Sequence, residues 1–298
     1  MSIRRVLSLM LVLFSSLVHV GLVHAGLTVV DDTGATVTLA QPAKRVVSLA
    51  PHVTEMLFAV GAGRQIVGAV DYSDYPEAAK AIPRVGGYNA IDLEAIVALE
   101  PDLVVAWRSG NAEAAVEKLK QLGLNVYFSE PRLLDDVATD VERLSVLTGH
   151  VTEGQRAASG YRAELKRLQQ RYAGAAKVRV FYQIWNRPLM TINGQHLIGR
   201  VIELCGGENI FAALPTLAPH VDLESVVLAN PDAIIASGMG AERPEWLDEW
   251  RRWPQLAAVK SDSIFVIQPD IINRHSPRIL QGAAQMCGQL QEVRKKQH

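Results

Sequence analysis

Cysteine is almost missing from this 298-residue chain, aromatic residues make up only 6% of it, and neither sign of charge prevails. Each shortage excludes something. Two cysteines rule out a disulfide-dense scaffold and a Cys-rich metal module. A net charge of −1 gives no electrostatic case for binding nucleic acid. Disorder, collagen and coiled coil are excluded by 49% hydrophobic and 20% charged residues. Signatures of turnover are missing as well. There is no GxSxG, no GxxxxGK[ST], no HExxH, and no GxGxxG after the first strand-like segment. Gly61-Ala-Gly-Arg-Gln-Ile lacks the third glycine. His52, His196, His220 and His275 are scattered along the chain, which argues against a zinc or manganese capture site, and His275 alone is kept as a ligand-side contact.

The longest apolar run, Val6 to Phe14, is broken by Ser8 and falls well short of the ~20 residues of a membrane span. Arg4 and Arg5 precede it, and Val23-His24-Ala25 offers small residues for cleavage. Residues 1–25 therefore read as a secretory signal peptide rather than an anchor, with a mature chain from Gly26 and a periplasmic address. In an oxidising compartment the economical fate of Cys205 and Cys287 is one disulfide, the alternative being two buried thiols.

What is present is a duplication. Asp92-Leu-Glu-Ala-Ile-Val-Ala-Leu-Glu-Pro-Asp-Leu-Val-Val-Ala106 matches Asp222-Leu-Glu-Ser-Val-Val-Leu-Ala-Asn-Pro-Asp-Ala-Ile-Ile-Ala236 at a constant offset of 130 residues (222 − 92). Each copy predicts an Asp N-cap, a short helix, a Pro-Asp turn and a buried strand. Two copies are too few for a solenoid. Strand-like runs at Arg45–Ala50, Leu103–Trp107 and Asn125–Phe128 alternate with helical patterns, as in a parallel sheet covered on both faces. Gly26 to Ala40 alternates about Asp-Thr-Gly and predicts a hairpin. From Thr152, the spacing of Tyr161, Leu165, Leu168 and Tyr172 predicts one amphipathic helix ending at Gly174, about 30 Å long at ~20 residues. The expected fold is α/β: an N-terminal lobe over 26–150, a rigid bridging helix over 151–174 and a similar C-terminal lobe over 175–298, with a ligand cleft between the lobes.

Several aromatic residues fall in loops at strand ends, where ligand contacts concentrate: Tyr72, Tyr75, Tyr88, Trp107 and Trp185. Tyr72 and Trp107 are the better candidates because each follows an apolar run, whereas loop packing accounts as well for Tyr75 and Trp185. The segment Asp270-Ile-Ile-Asn-Arg274 follows the strand-like Ile264–Ile267 and faces the crevice of an open sheet. Asp270, Asn273 and Arg274 supply polar contacts there and Ile271 and Ile272 apolar ones, with an Asp270–Arg274 surface pair as the plainer alternative.

Gly68-Ala-Val-Asp-Tyr-Ser-Asp-Tyr-Pro76, the stretch Leu93 to Glu113 with its Ala-Trp-Arg-Ser-Gly-Asn, Glu203-Leu-Cys-Gly-Gly-Glu-Asn-Ile-Phe211 and Ser276-Pro-Arg-Ile279 closely resemble the periplasmic vitamin B12-binding proteins. These are among the helix-bridged substrate-binding proteins of ABC transporters. The resemblance runs from Arg45 to the end. It implies a non-enzymatic, monomeric carrier that holds cobalamin or a related corrinoid and needs no cofactor. The carrier delivers its cargo to an inner-membrane permease dimer. Tyr72, Trp107 and Asp270 to Arg274 match ligand-contact positions, and Cys205 and Cys287 match the family disulfide. Glu94 and Glu224, one per repeat, match glutamates that dock on permease arginines, although a carboxylate in a first helical turn also favours the helix dipole unaided. Tyr88 stands where the family has a cleft Trp, and Ala218 stands where another is expected. Tyr still stacks and Ala does not. The wider class also carries haem and ferric siderophores, and a haem carrier would draw on Tyr72, Tyr88 and Arg274.

Overall fold

The duplicated strand segments sit at equivalent places in two four-stranded, wholly parallel sheets. A computed structural model of the protein describes residues 26–238 and 244–297. The first sheet runs, edge to edge, Ile66–Ala69, Val46–Ser48, Leu103–Trp107, Val126–Ser129, and the second Gly207–Asn209, Val178–Gln183, Ala233–Ala236, Ile264–Val266. In order of sequence both are 2-1-3-4. In each sheet the order of strand addition therefore reverses between the first and third strands, the kind of place where an open parallel sheet forms a crevice.

The repeats show why the pattern recurs. Asp92 caps the helix Leu93–Ala98 by accepting the Ala95 N–H at 3.0 Å, and Asp222 caps Leu223–Ala229 through Ser225 N–H at 2.6 Å. The Pro-Asp pairs are sheet clamps. Asp102 accepts the N–H groups of Lys44 and Arg45, and Asp232 accepts that of Arg179, so each aligns the neighbouring first strand. Between cap and clamp the chain turns through left-handed backbone at Glu100 and Asn230, 130 positions apart like the rest of the repeat (230 − 100).

Alternation along the strands gives each sheet two apolar faces. Val47, Val104, Ala106 and Phe128 build an outer core on the first sheet, and Phe181, Ile234 and Ala236 build one on the second. The opposite faces, with Val46, Leu103, Val105 and Tyr127 from one sheet and Val180, Tyr182 and Ile235 from the other, belong to a single core that runs through both lobes. The helix Val151–Tyr172 carries Tyr161, Leu165 and Leu168 into that core, as their spacing predicts. It packs on Pro51–Ala59 and Asp136–Thr148 of the first lobe and on Leu197–Leu204 and Ile279–Lys296 of the second. The hairpin forms as Leu27–Val30 with Thr36–Leu39. The leader expected over residues 1–25 lies outside the described residues.

Cys205 and Cys287 form a disulfide between the end of Leu197–Leu204 and the helix Ile279–Lys296, across a sequence separation of 82 residues. In the chain-entropy account a link of that length stabilises by roughly 4–5 kcal/mol at most. Replacing both cysteines with serine is expected to lower unfolding free energy in urea by ~2–5 kcal/mol. A change below ~0.5 kcal/mol would show that the link does not constrain the unfolded chain.

Candidate ligand-binding site

At the reversal point of the first sheet, strand Val46–Ser48 leads into the helix Pro51–Ala59 and strand Leu103–Trp107 ends on Trp107. These two carboxyl ends bring His52 and Trp107 together, ring edge to ring face at 5.4 Å. Trp107 is held from both sides. Asn111 accepts the Trp107 N–H at 2.7 Å and donates to Leu49 O at 2.9 Å and Tyr88 O at 2.6 Å. Gly110 leaves room for the indole: a Cβ there would stand 1.9 Å from Trp107 Cε3. One buried amide thus ties the first strand, the third strand and the Tyr88 loop into a single wall. Asn111 is the positioning residue missed from the sequence, although Ala-Trp-Arg-Ser-Gly-Asn contained it.

The second lobe meets this wall with histidines. His275 lies 5.8 Å from His52 and 6.2 Å from Trp107, and His196 lies 5.3 Å from His275. The expectation that the histidines are scattered is corrected for these three, which come from a helix start, a second helix start and a loop. Tyr88 extends the cluster outward, 5.8 Å from Trp107 and 39% exposed. Burial pushes the His52 imidazole down to about 3. Burial and the nearby Arg132 charge bring His196 to about 4. His275 is held well below the usual histidine range by burial first, then by its two histidine neighbours and Arg132. All three rings are neutral at ordinary pH. The His196 Nδ1 accepts the Ile198 N–H at 3.1 Å, a role open only to a neutral ring.

Beside the rings lies an ionic junction. Glu55 of the first lobe is buried, and its carboxylate accepts from Arg274 Nη1 at 3.0 Å, Arg278 Nε at 2.9 Å and Ser276 Oγ at 2.5 Å of the second. Arg274 also pairs with Asp74 at 2.7 Å and Asp270 at 2.9 Å. The Arg278 guanidinium lies 3.7 Å from the centre of the Tyr75 ring.

The expected loop 270–274 opens as a short helix, Pro269–Ile272. Its residues divide. Asp270 and Asn273 are exposed and Ile271 is half-buried, whereas Ile272 is fully buried. The helix Ile279–Lys296 presses against Ile272 at Gly282, where a Cβ would stand 3.0 Å from Ile272 Cδ1. Apolar ligand contact from Ile272 is therefore corrected to core packing. Arg274, read as a ligand donor, is buried and engaged with three carboxylates, so the plain Asp270–Arg274 surface pair is replaced by an inter-lobe network. Tyr72 is 72% exposed with left-handed backbone, φ 63°. Trp185 sits apart in the ribbon Trp185–Asn186 with Leu189–Met190, its indole N–H donating to Arg187 O.

The chain's residues 46–271 match the model of the periplasmic binding protein family. The chain belongs to that family. Within it, a vitamin B12-binding protein of Vibrio parahaemolyticus is 36% identical over 88% of this chain and 95% of its own length. A vitamin B12-binding protein of Yersinia pestis is 37% identical over 85% and 89%. The crystal structure of the periplasmic vitamin B12-binding protein BtuF of Vibrio cholerae superimposes with a TM-score of 0.79 at 37% identity, covering 85% of this chain and 99% of that one. The haem-binding protein RhuT of Roseiflexus shares the fold at a TM-score of 0.75 but only 21% identity. The resemblance drawn from the sequence stands, and so does the two-lobed α/β architecture of this periplasmic binding protein.

The neutral histidines have a pH signature. The unfolded chain protonates them below the ordinary value of 6.5, while the folded chain protonates His52 only near 3 and His196 near 4, and His275 well below the ordinary range. Below pH 6.5 the unfolded state binds more protons, so this contribution to stability is complete above that pH and declines as pH falls toward 4. The urea midpoint is expected to drop between pH 7 and pH 5, and to drop less in His52→Phe. Equal slopes in the two proteins would contradict a buried neutral His52.

Proposed function

We propose that this protein is a periplasmic carrier that captures cobalamin or a related corrinoid between its lobes and hands it to an inner-membrane ABC permease, without transforming it. The lobes are taken as 26–150 and 175–298 about the bridge 151–174, with residues 1–25 as the cleaved leader. No helix among the described residues is long and apolar enough to cross a membrane. The observation that carries the reading is the aromatic wall at the carboxyl ends of the first sheet, Trp107 and Tyr88 fixed by Asn111, in a chain 36–37% identical to vitamin B12-binding proteins over most of its length. Broad aromatic faces held in place suit a flat macrocycle, each adding ~0.5–1.5 kcal/mol beyond the area buried. Exposed Tyr72, Asp270 and Asn273, with half-buried Ile271, form the rim, and Trp185 is an outlying contact.

The purified protein, incubated separately with cyanocobalamin and with haem and then desalted, is expected to keep the corrinoid spectrum. Trp107→Ala is expected to weaken retention by ~3–10-fold. Retention of haem with no retention of corrinoid would replace this reading with haem carriage.

Glu94 and Glu224 are proposed as the permease-docking pair. Each is exposed in the first turn of a capped helix, one on each repeat, and neither joins an ion pair among the described residues. Such matched charges at a rim set orientation and association rate. Glu94→Arg with Glu224→Arg is expected to slow association with the transporter at least tenfold at fixed ionic strength, with corrinoid retention unchanged. Undiminished association would remove the docking role.

A further inference from the structure

The second sheet has a reversal point of its own, between the strands Val178–Gln183 and Ala233–Ala236. Beside the carboxyl end of Val178–Gln183 lies a cavity of about 340 Å³, large enough for a small molecule. Three of the chain's five tryptophans line it: Trp246, Trp250 and Trp253. Trp250 is held in place. It is buried, meets Phe181 ring edge to ring face at 5.4 Å, and donates its indole N–H to Gln183 Oε1 at 2.7 Å. Trp246 and Trp253 are only half-buried at the margin of the same outer core, which leaves ring surface for a ligand.

The polar groups of the cavity narrow that ligand's chemistry. Gln183 is buried and spends both ends of its amide, since its Nε2 donates to Trp185 O at 3.3 Å. Asn186 is then the one lining amide left to meet the hydroxyl groups of a sugar. Two exposed charges complete the lining, Glu249 and Arg252. Glu249 pairs with Arg187 at 3.2 Å, but both side chains are exposed and such a pair is weak. Arg252 joins no ion pair among the described residues. Aromatic faces attract cations through the ring quadrupole, Trp most strongly, and quaternary ammonium groups are the ligands best matched to several such faces. A carboxylate beside them adds to the attraction. An uncommitted guanidinium favours an anionic group on the same ligand.

We propose that this cavity binds a small zwitterion of the phosphocholine type. Its quaternary ammonium lies against Trp246 and Trp253 beside Glu249, and its phosphate is held by Arg252. The site shares no residue with the ring cluster at the lobe junction and does not rest on the corrinoid reading. Trp185 serves it only indirectly, through the carbonyl that anchors Gln183.

Titration calorimetry with choline, phosphocholine and dimethylbutanol, the uncharged isostere of choline, tests this on the purified protein. Choline is expected to bind at least tenfold more tightly than its isostere, and phosphocholine at least tenfold more tightly than choline. Trp246→Ala and Trp253→Ala each weaken choline at least tenfold. Arg252→Gln removes the advantage of phosphocholine and leaves choline unchanged. Binding to phosphatidylcholine vesicles as well supports the same chemistry in a lipid headgroup, and binding of phosphocholine alone supports a free compound. Equal binding of choline and its isostere, or no binding of phosphocholine, overturns the proposal, as does choline affinity unchanged in both tryptophan variants. A phosphocholine advantage that survives in Arg252→Gln overturns the role of Arg252. An unchanged urea midpoint shows each variant to be folded. Should a tryptophan variant not fold, the isostere and Arg252→Gln decide alone.

Discussion

The lobes are held in register by a carboxylate that has left water. Glu55 belongs to the first lobe, yet its partners, Arg274, Arg278 and Ser276, all belong to the second. A buried charge is tolerated only while its hydrogen bonds are complete, and removing one side of such a cluster costs several kcal/mol because the other is stranded. Asp74 and Asp270 draw the same arginine toward the rim. Together with the apolar core shared by both lobes and the bridging helix, this junction defines one closed arrangement around which the rings gather. Parting the lobes must therefore replace those ionic partners with water or cargo.

A second constraint acts within the first lobe. Trp107 ends a strand and would be free to rotate, but Asn111 fixes its backbone while Gly110 lets the indole lie flat across the turn. The same amide pins the Tyr88 loop. Preorganisation of this kind lowers the ordering cost of binding, since the aromatic faces are already in place. The wall is also electrically quiet: its histidines are neutral and its nearest charges are committed to one another. That character suits a broad, weakly polar surface better than an anion or a hydrated ion.

Much of the architecture was legible from local pattern. The 130-residue repeat announced two like lobes, because caps, Pro-Asp clamps and buried strands are short-range devices that leave short-range marks. The bridging helix followed from the spacing of Tyr161, Leu165 and Leu168. Trp107 was legible for the same reason: it closes an apolar strand. The errors lay where position depended on distant partners. Ile272 looked like a loop contact until the last helix closed over it at Gly282. Arg274 looked like a free donor, because Glu55 is 219 positions away in the chain.

The sequence alone therefore determined the parallel-sheet lobes, the strut between them and the family to which the chain belongs, all of them consequences of periodicity and of motifs contiguous along the chain. Tertiary structure alone decided the chemistry of the junction. His52, His196 and His275 are separated by 144 and 79 residues (196 − 52 and 275 − 196), and no spacing rule connects them. They meet because the start of the helix Pro51–Ala59 in the first lobe packs against a loop and a helix start of the second. Burial there, rather than composition, makes the rings neutral and leaves two of their nitrogens unpaired.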